Sequence, residues 1–155
     1  MLFAKNAAAH RLLNEQFSSR KIKKTYLALV HGSLEVNDGT IDKPLRQFGS
    51  GRMGVDLRRG KKSNTSFRVE ERLKHYTLVK VYPSTGRRHQ IRVHFYSINH
   101  PIVGDLLYGD KAVQAQFPRL MLHAQEITFQ LQSGQEITLA APIPQSFKKV
   151  LNELI

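Results

Sequence analysis

Apolar residues near the start of the chain recur at helical spacing. Ala9, Leu13 and Phe17 share one face with Gln16, and Asn6 stands where a helix cap belongs, so the pattern predicts a helix running to about Arg20. A basic link, residues 21–24, leads into the run Thr-Tyr-Leu-Ala-Leu-Val-His over 25–31. That run is short, continuously apolar and closed by Gly32, which predicts a buried strand rather than a helix. Residues 39–43 read as a short strand stopped by Pro44, and 49–62 as a polar loop rich in Gly and Arg. Two alternating runs, 65–72 and 75–82, meet at Leu73-Lys74 and predict an antiparallel pair ended by Pro83. Ser84 or Thr85 is then placed to cap a helix over 87–98, on which Ile91, Phe95 and Ile98 lie within about 60° of one another. Asn99 and Pro101 close it. Residues 122–131 and 136–140 read as a hairpin around Gln132-Ser133-Gly134-Gln135, and Pro144 opens a last helix with Phe147, Val150, Leu151 and Leu154 in one stripe.

The class implied is α+β, a mostly antiparallel sheet with helices packed against it. The length, 155 residues, fits one domain, and no repeat or linker interrupts the pattern. Residues 1–4 form an apolar, strand-like scrap that enters a helix at once, like the end of an element whose beginning is absent.

Charge adds a partner to this picture. There are 24 Lys and Arg against 12 Asp and Glu, a net charge of +12. Between Lys43 and Arg92 stand 14 basic residues and three acids, an excess of 11 that holds nearly all of the imbalance. Neutralising phosphates releases their condensed counterions, so a concentration of this kind marks a nucleic-acid surface; the alternative is a solvated basic face. The chain has no Cys, which removes disulfides, thiolate nucleophiles and Cys-zinc sites and suits a reducing compartment. No apolar run approaches the roughly 18 residues of a membrane span. The expected address is cytoplasmic.

Several chemical motifs fall away on context. Gly49-Ser50-Gly51-Arg52-Met53-Gly54 matches G-x-G-x-x-G, but the charged run 56–62 that follows has no helix to offer a pyrophosphate. His89 and His94 are five residues apart, about 140° around a helix, and neither H-E-x-x-H nor G-x-S-x-G occurs, so no metal site or serine elbow is expected. The densest polar cluster is Ser84-Thr85-Gly86-Arg87-Arg88-His89-Gln90-Ile91-Arg92-Val93-His94-Phe95. With Ile91 at 0° on the expected helix, Arg88 at about 60°, Arg92 at about 100° and His89 at about 160° flank the apolar face. A half-buried guanidinium there calls for a planar anion, and spacing leaves open whether that is a phosphate or carboxylate ligand or a structural ion pair.

At this cluster the chain resembles the RluA-type pseudouridine synthase family. The stretch Thr85-Gly86-Arg87-Arg88-His89-Gln90-Ile91-Arg92-Val93-His94 is followed by His100-Pro101-Ile102-Val103-Gly104-Asp105 and Tyr108-Gly109. In the same order stand Lys24-Thr25-Tyr26-Leu27-Ala28-Leu29-Val30-His31-Gly32, similar to the family's K-x-Y-x-A-x-V-x-G; Lys62-Ser63-Asn64-Thr65, similar to K-x-x-T; and Arg119-Leu120-Met121-Leu122-His123-Ala124, similar to R-L-x-L-H-A. The resemblance implies an isomerase that turns specific uridines of rRNA or tRNA into pseudouridine, without cofactor or metal. It implies that Tyr26 stacks on the flipped uracil, that Arg92 pairs with the catalytic aspartate and that Leu122 lines the base pocket. A base must leave its stack before its glycosidic bond is reached, and an aromatic plane recovers part of that cost. A fixed Arg favours the ionised form of a carboxylate nucleophile. His89 is expected beside the substrate, and Arg88, Arg58, Arg59, Lys61 and Lys62 on the RNA backbone.

One departure decides what to expect of these 155 residues. The family's aspartate lies in an H-R-L-D-x-x-[TS]-S-G segment just upstream of the stretch that Leu2-Phe3-Ala4-Lys5-Asn6 resembles, and none of Asp38, Asp42, Asp56, Asp105 and Asp110 stands in that context. The expectation is a partial catalytic domain over 1–155, monomeric, lacking its first strands and its nucleophile, and inactive alone. The rival reading is a non-catalytic basic RNA-binding module derived from that fold; a basic structural protein of the ribosome is a third.

Overall fold

The computed structural model describes residues 2–154. In chain order the elements are α1 (Ala7–Ser18), β1 (Lys23–His31), β2 (Asp38–Asp42), β3 (Leu45–Gln47), β4 (Met53–Val55), β5 (Asn64–Arg72), β6 (Tyr76–Pro83), α2 (Gln90–Tyr96), α3 (Lys111–Gln114), β7 (Leu122–Gln130), β8 (Glu136–Ala140) and α4 (Gln145–Leu154). Six strands form one sheet in the order β2-β5-β6-β1-β7-β8, with every neighbouring pair antiparallel. The remaining two, β3 and β4, make a separate hairpin.

The continuous apolar run of β1 follows from its central place, because both faces of that strand are covered. Ala28 and Val30 pack with Ile91 and Phe95 of α2, whereas Leu27 and Leu29 pack with Phe147 and Val150 of α4. A strand buried on both sides has no solvent face to alternate with. On α4 the expected stripe holds, with Phe147 and Val150 buried.

α1 is capped as expected, Asn6 Oδ1 accepting from the Ala9 N–H at 2.8 Å, but its apolar face is half used. Gln16 is its one buried residue, and the Gln16 amide docks like a strand edge, accepting from Gln130 N at 2.8 Å and donating to Gln130 O at 2.9 Å. Phe17 stays 47% exposed. Residues 2–4 are irregular rather than strand-like, and Met1 lies outside the described residues.

Two readings are corrected. Within the stretch 49–62, read from sequence as a polar loop, residues 53–55 form β4, which pairs with β3 just before it, Leu45 with Val55 and Gln47 with Met53. Three-residue strands are too short to show a period, but Leu45 and Met53 are buried against Val93 and Tyr108. The helix expected over 87–98 is shorter, Gln90–Tyr96, and neither Ser84 nor Thr85 caps it. His89 occupies the cap position in the left-handed conformation, φ 53°, without a side-chain cap bond. Thr85 Oγ1 is engaged instead with Gln90 Oε1 at 2.7 Å and with the Asn64 N–H at 3.1 Å.

Candidate active site

A cleft of about 240 Å³ opens where β1, β7 and the segment leading into α2 meet. It is lined by Tyr26 and Lys24 from β1, Leu122 from β7, and Arg87, His89 and Arg92 around the start of α2. Pockets that hold drug-sized ligands run to roughly 300–1,000 Å³, so this volume suits one planar base rather than a whole cofactor.

Tyr26 lies beside a break in the sheet. Thr25 faces Glu126 while Tyr26 faces Ala124, so Gln125 bulges out of β7 at that point. The bulge lies on β7 beside Tyr26, whose side chain shares the sheet face of Ala28 and Val30 by ordinary strand alternation and so reaches the side covered by α2. Burial pushes the Tyr26 phenol above its ordinary pKa, which keeps the ring neutral, and lowers the Lys24 ammonium for the same reason.

The stretch Thr85–Arg92 is held by one buried amide, that of Gln90. The Gln90 Oε1 atom accepts from the Arg87 N–H at 3.0 Å and from Thr85, and Nε2 donates to Asn64 O at 2.9 Å and Thr65 Oγ1 at 3.0 Å. Every donor and acceptor of the amide is used, so the network fixes a single loop shape. Thr65 in turn meets His94 Nδ1 at 2.8 Å, and His94 Nε2 meets Lys43 O at 2.9 Å.

Arg92 forks onto Asp105, Nε to Oδ2 and Nη2 to Oδ1, both at 2.7 Å. This supplies one of the partners that spacing left open, an ion pair with a residue 13 positions on that no helical periodicity connects to it. Asp105 is itself fixed: Oδ1 accepts from the backbone of Leu107 and Tyr108 at 3.0 Å, and Gln114 Oε1 holds the N–H groups of Gly104 and Asp105. The fork occupies Nε and Nη2 and leaves Nη1 for another acceptor. Arg92 keeps its proton more firmly than usual, chiefly through the hydrogen bond to Asp105. His89 is held at Nδ1 by Tyr108 Oη at 3.0 Å, and its pKa is lowered by burial and then by the charges of Arg92 and Arg88.

The structure thus brings Tyr26, Leu122, Arg92 and His89 together. Arg88 precedes α2 instead of lying on it, and is exposed outside the cleft lining. Arg58, Arg59, Lys61 and Lys62 are exposed on the connection from β4 to β5, also away from the cleft. Their connection is a built turn: Asp56 Oδ1 accepts from the Arg58 and Arg59 N–H groups at 3.0 and 2.9 Å, while Oδ2 meets Arg46 at 3.0 Å. Those contacts, led by the Arg59 N–H, hold the Asp56 carboxyl below its ordinary pKa.

Sequence reasoning missed Lys24, Arg87 and the supporting pair Asp105 and Gln114. Arg87 carries a buried Nε without a partner at the cleft, a donor only a ligand or water would satisfy. Among the described residues no three His, Asp or Glu side chains converge as metal ligands, and no Asp or Glu lines the cleft.

Comparison with known proteins places this geometry. The sequence profile of the RNA pseudouridylate synthase family matches residues 1–97. Ribosomal large subunit pseudouridine synthase C of Pasteurella multocida is 40% identical over 163 residues, covering 99% of this chain and 50% of the relative. The dual-specificity RNA pseudouridine synthase of the same organism is 39% identical over 146 residues, covering 92% of this chain and 67% of its own length. The chain spans about half the length of the large-subunit synthases it matches. In structure it superposes on human RNA pseudouridylate synthase domain containing 1 with a TM-score of 0.80 and 30% identity, over 97% of this chain and 73% of that one. Profile, relatives and fold agree, and the chain belongs to the RluA-type family of RNA pseudouridine synthases.

Proposed function

We propose that this chain forms the base-holding wall of an enzyme that isomerises specific uridines of rRNA or tRNA to pseudouridine. The observation that carries the proposal is the convergence of Tyr26, Leu122 and Arg92, from three separate elements, on one base-sized cleft. A flipped uracil stacks on Tyr26 and rests on Leu122. The aspartate that attacks comes from outside these 155 residues and is held ionised by the Nη1 group of Arg92. The N1–C1′ bond breaks, the uracil turns, C5 joins C1′, and the proton displaced from C5 goes to solvent while N1 takes one up. The reaction is an isomerisation with no net redox change, so the residues need supply only orientation and proton transfer. In this reading the protein works as a monomer in the cytoplasm on an RNA partner. The relatives named for the ribosomal large subunit support that address.

The test is release of tritium from RNA labelled at uridine C5. Residues 1–155 alone give none, and fusing an upstream segment carrying H-R-L-D restores release that an Asp→Asn change in that segment abolishes. Tritium release by 1–155 alone overturns the assignment of the nucleophile. The second reading, a non-catalytic RNA-binding module, is favoured by the lack of a carboxylate in the cleft lining and predicts no release from either protein.

A further inference from the structure

A second opening lies on the far side of Tyr108 from the cleft. It is about 370 Å³ in volume and is lined by Phe48 and Arg52 at the β3–β4 turn, by Met53 and Val93, and by Tyr96 at the end of α2. We propose that this groove holds a second nucleotide of single-stranded RNA, a neighbour of the one in the cleft, with its base stacked on Phe48 or Tyr96 and its phosphate on Arg52. The proposal rests on the RNA-binding reading above and extends it to a separate subsite.

Four observations support it. Phe48 is 42% and Tyr96 45% exposed, and both line the one groove, so their planes form a single aromatic patch open to solvent. Arg52 stands 5.9 Å from the Tyr96 ring centroid and 5.0 Å from that of Tyr108, and Arg46 stands 5.4 Å from that of Phe48, so each exposed ring is paired with a cation. Aromatic planes interleaved with guanidinium groups are the chemistry that binds single strands without reading their sequence. The turn is shaped to present Phe48: Phe48 N donates to Arg52 O, Gly51 N donates to Phe48 O, and the ring lies so close over Gly54 that a Cβ there would sit 2.8 Å from Cε2. Finally, the groove adjoins the cleft through Tyr108, which lines the groove and touches residues that line the cleft. Tyr108 Oη accepts from the Met53 N–H at 3.2 Å on the groove side and meets His89 at 3.0 Å on the cleft side, while Arg92 stands 5.0 Å from the same ring. A strand with one base in the cleft passes Tyr108 to reach Arg52.

The experiment uses residues 1–155 and fluorescence anisotropy with a fluorescein-labelled single-stranded RNA decanucleotide carrying one central uridine. Removing a stacking plane is worth about 5- to 150-fold in Kd, from roughly 1–3 kcal/mol per base. Phe48→Ala and Tyr96→Leu are expected to weaken binding within that range and leave its salt dependence unchanged, because neither removes a charge. Tyr96→Phe keeps the plane and is expected to bind as the unsubstituted chain does, while Arg52→Gln lowers the slope of log K against log salt by about 0.7. Wild-type affinity in both Phe48→Ala and Tyr96→Leu, with Tyr26→Leu still weakened, overturns the groove and leaves RNA binding at the cleft standing. No salt-dependent binding by the unsubstituted chain overturns the groove and the RNA-binding reading together.

Discussion

Arg92 and Asp105 form a two-pronged ion pair in which the Asp105 side chain is wholly buried and the Arg92 side chain is 19% exposed. Such a pair is costly to halve, because the remaining charge stays in low dielectric without its partner. Asp105→Ala is therefore expected to lose about 3–5 kcal/mol in urea unfolding at neutral pH, a large share of the roughly 5–15 kcal/mol that stabilises a typical domain. Replacing both, Arg92→Met with Asp105→Leu, is expected to lose much less than the sum of the single changes. Equal additivity would show that the pair is not a unit.

Gly104, next to Asp105, sits at φ 74°, and a Cβ there would fall on the Arg119 carbonyl oxygen. Its N–H donates to Gln114 Oε1 at 2.6 Å, so the position sets where Asp105, and hence Arg92, stands. Gly104→Ala combines a left-handed penalty of about 1–2 kcal/mol with an overpacking penalty of about 1–3 kcal/mol. A loss of roughly 2–5 kcal/mol is expected by chemical denaturation.

Much of this site was legible before the structure, and unevenly so. Long elements declared themselves: β1 by its continuous apolar run, α4 by its stripe, and the β7–β8 hairpin by its turn residues. What periodicity could not show were arrangements made by partners far apart in sequence. The fork from Arg92 to Asp105, the bulge at Gln125 beside Tyr26, and the amide of Gln90 that displaced Thr85 from its expected capping role all depend on contacts between separate elements. The short β3–β4 hairpin escaped because its strands owe their burial to Val93 and Tyr108 and not to a pattern of their own. The residue roles at Tyr26 and Leu122 came from family resemblance alone, since a strand tyrosine and a strand leucine look like core until the cleft beside them is seen.

His94 gives a pH dependence of definite sign. The ring is buried between Thr65 Oγ1 and Lys43 O, and burial lowers its pKa below the ordinary 6.5. Lys43 O can only accept, so Nε2 carries the proton of the neutral ring and Nδ1 accepts from the Thr65 hydroxyl; a second proton on the ring would force that hydroxyl to turn and accept instead. His89 is lowered as well, first by burial. In the window below 6.5 the unfolded chain binds more protons than the folded one, so stability falls as pH drops through it and is fully present above it. Urea midpoints measured from pH 8 down to pH 5 are expected to decline, and His89→Gln with His94→Gln to flatten the decline. A midpoint that rises on acidification would reverse the assignment.

The basic turn between β4 and β5 makes a separate, electrostatic prediction. Arg58, Arg59, Lys61 and Lys62 are exposed, and the Asp56 side chain that organises the turn meets Arg46 and backbone N–H groups, leaving the four cations to face solvent. If they neutralise phosphates of a single strand, each contact contributes about 0.7 to the slope of log K against log salt. Changing all four to Ala is expected to reduce that slope by up to about 2.8 and to weaken binding alike for RNAs of different sequence, since phosphate contacts carry no base information. Because none of the four lines the cleft, the same variant should keep whatever preference the cleft has for uridine. Filter binding across a salt series checks both points. An unchanged slope would remove the turn from the RNA surface and leave the cations that line the cleft and groove, Lys24, Arg87, Arg92 and Arg52.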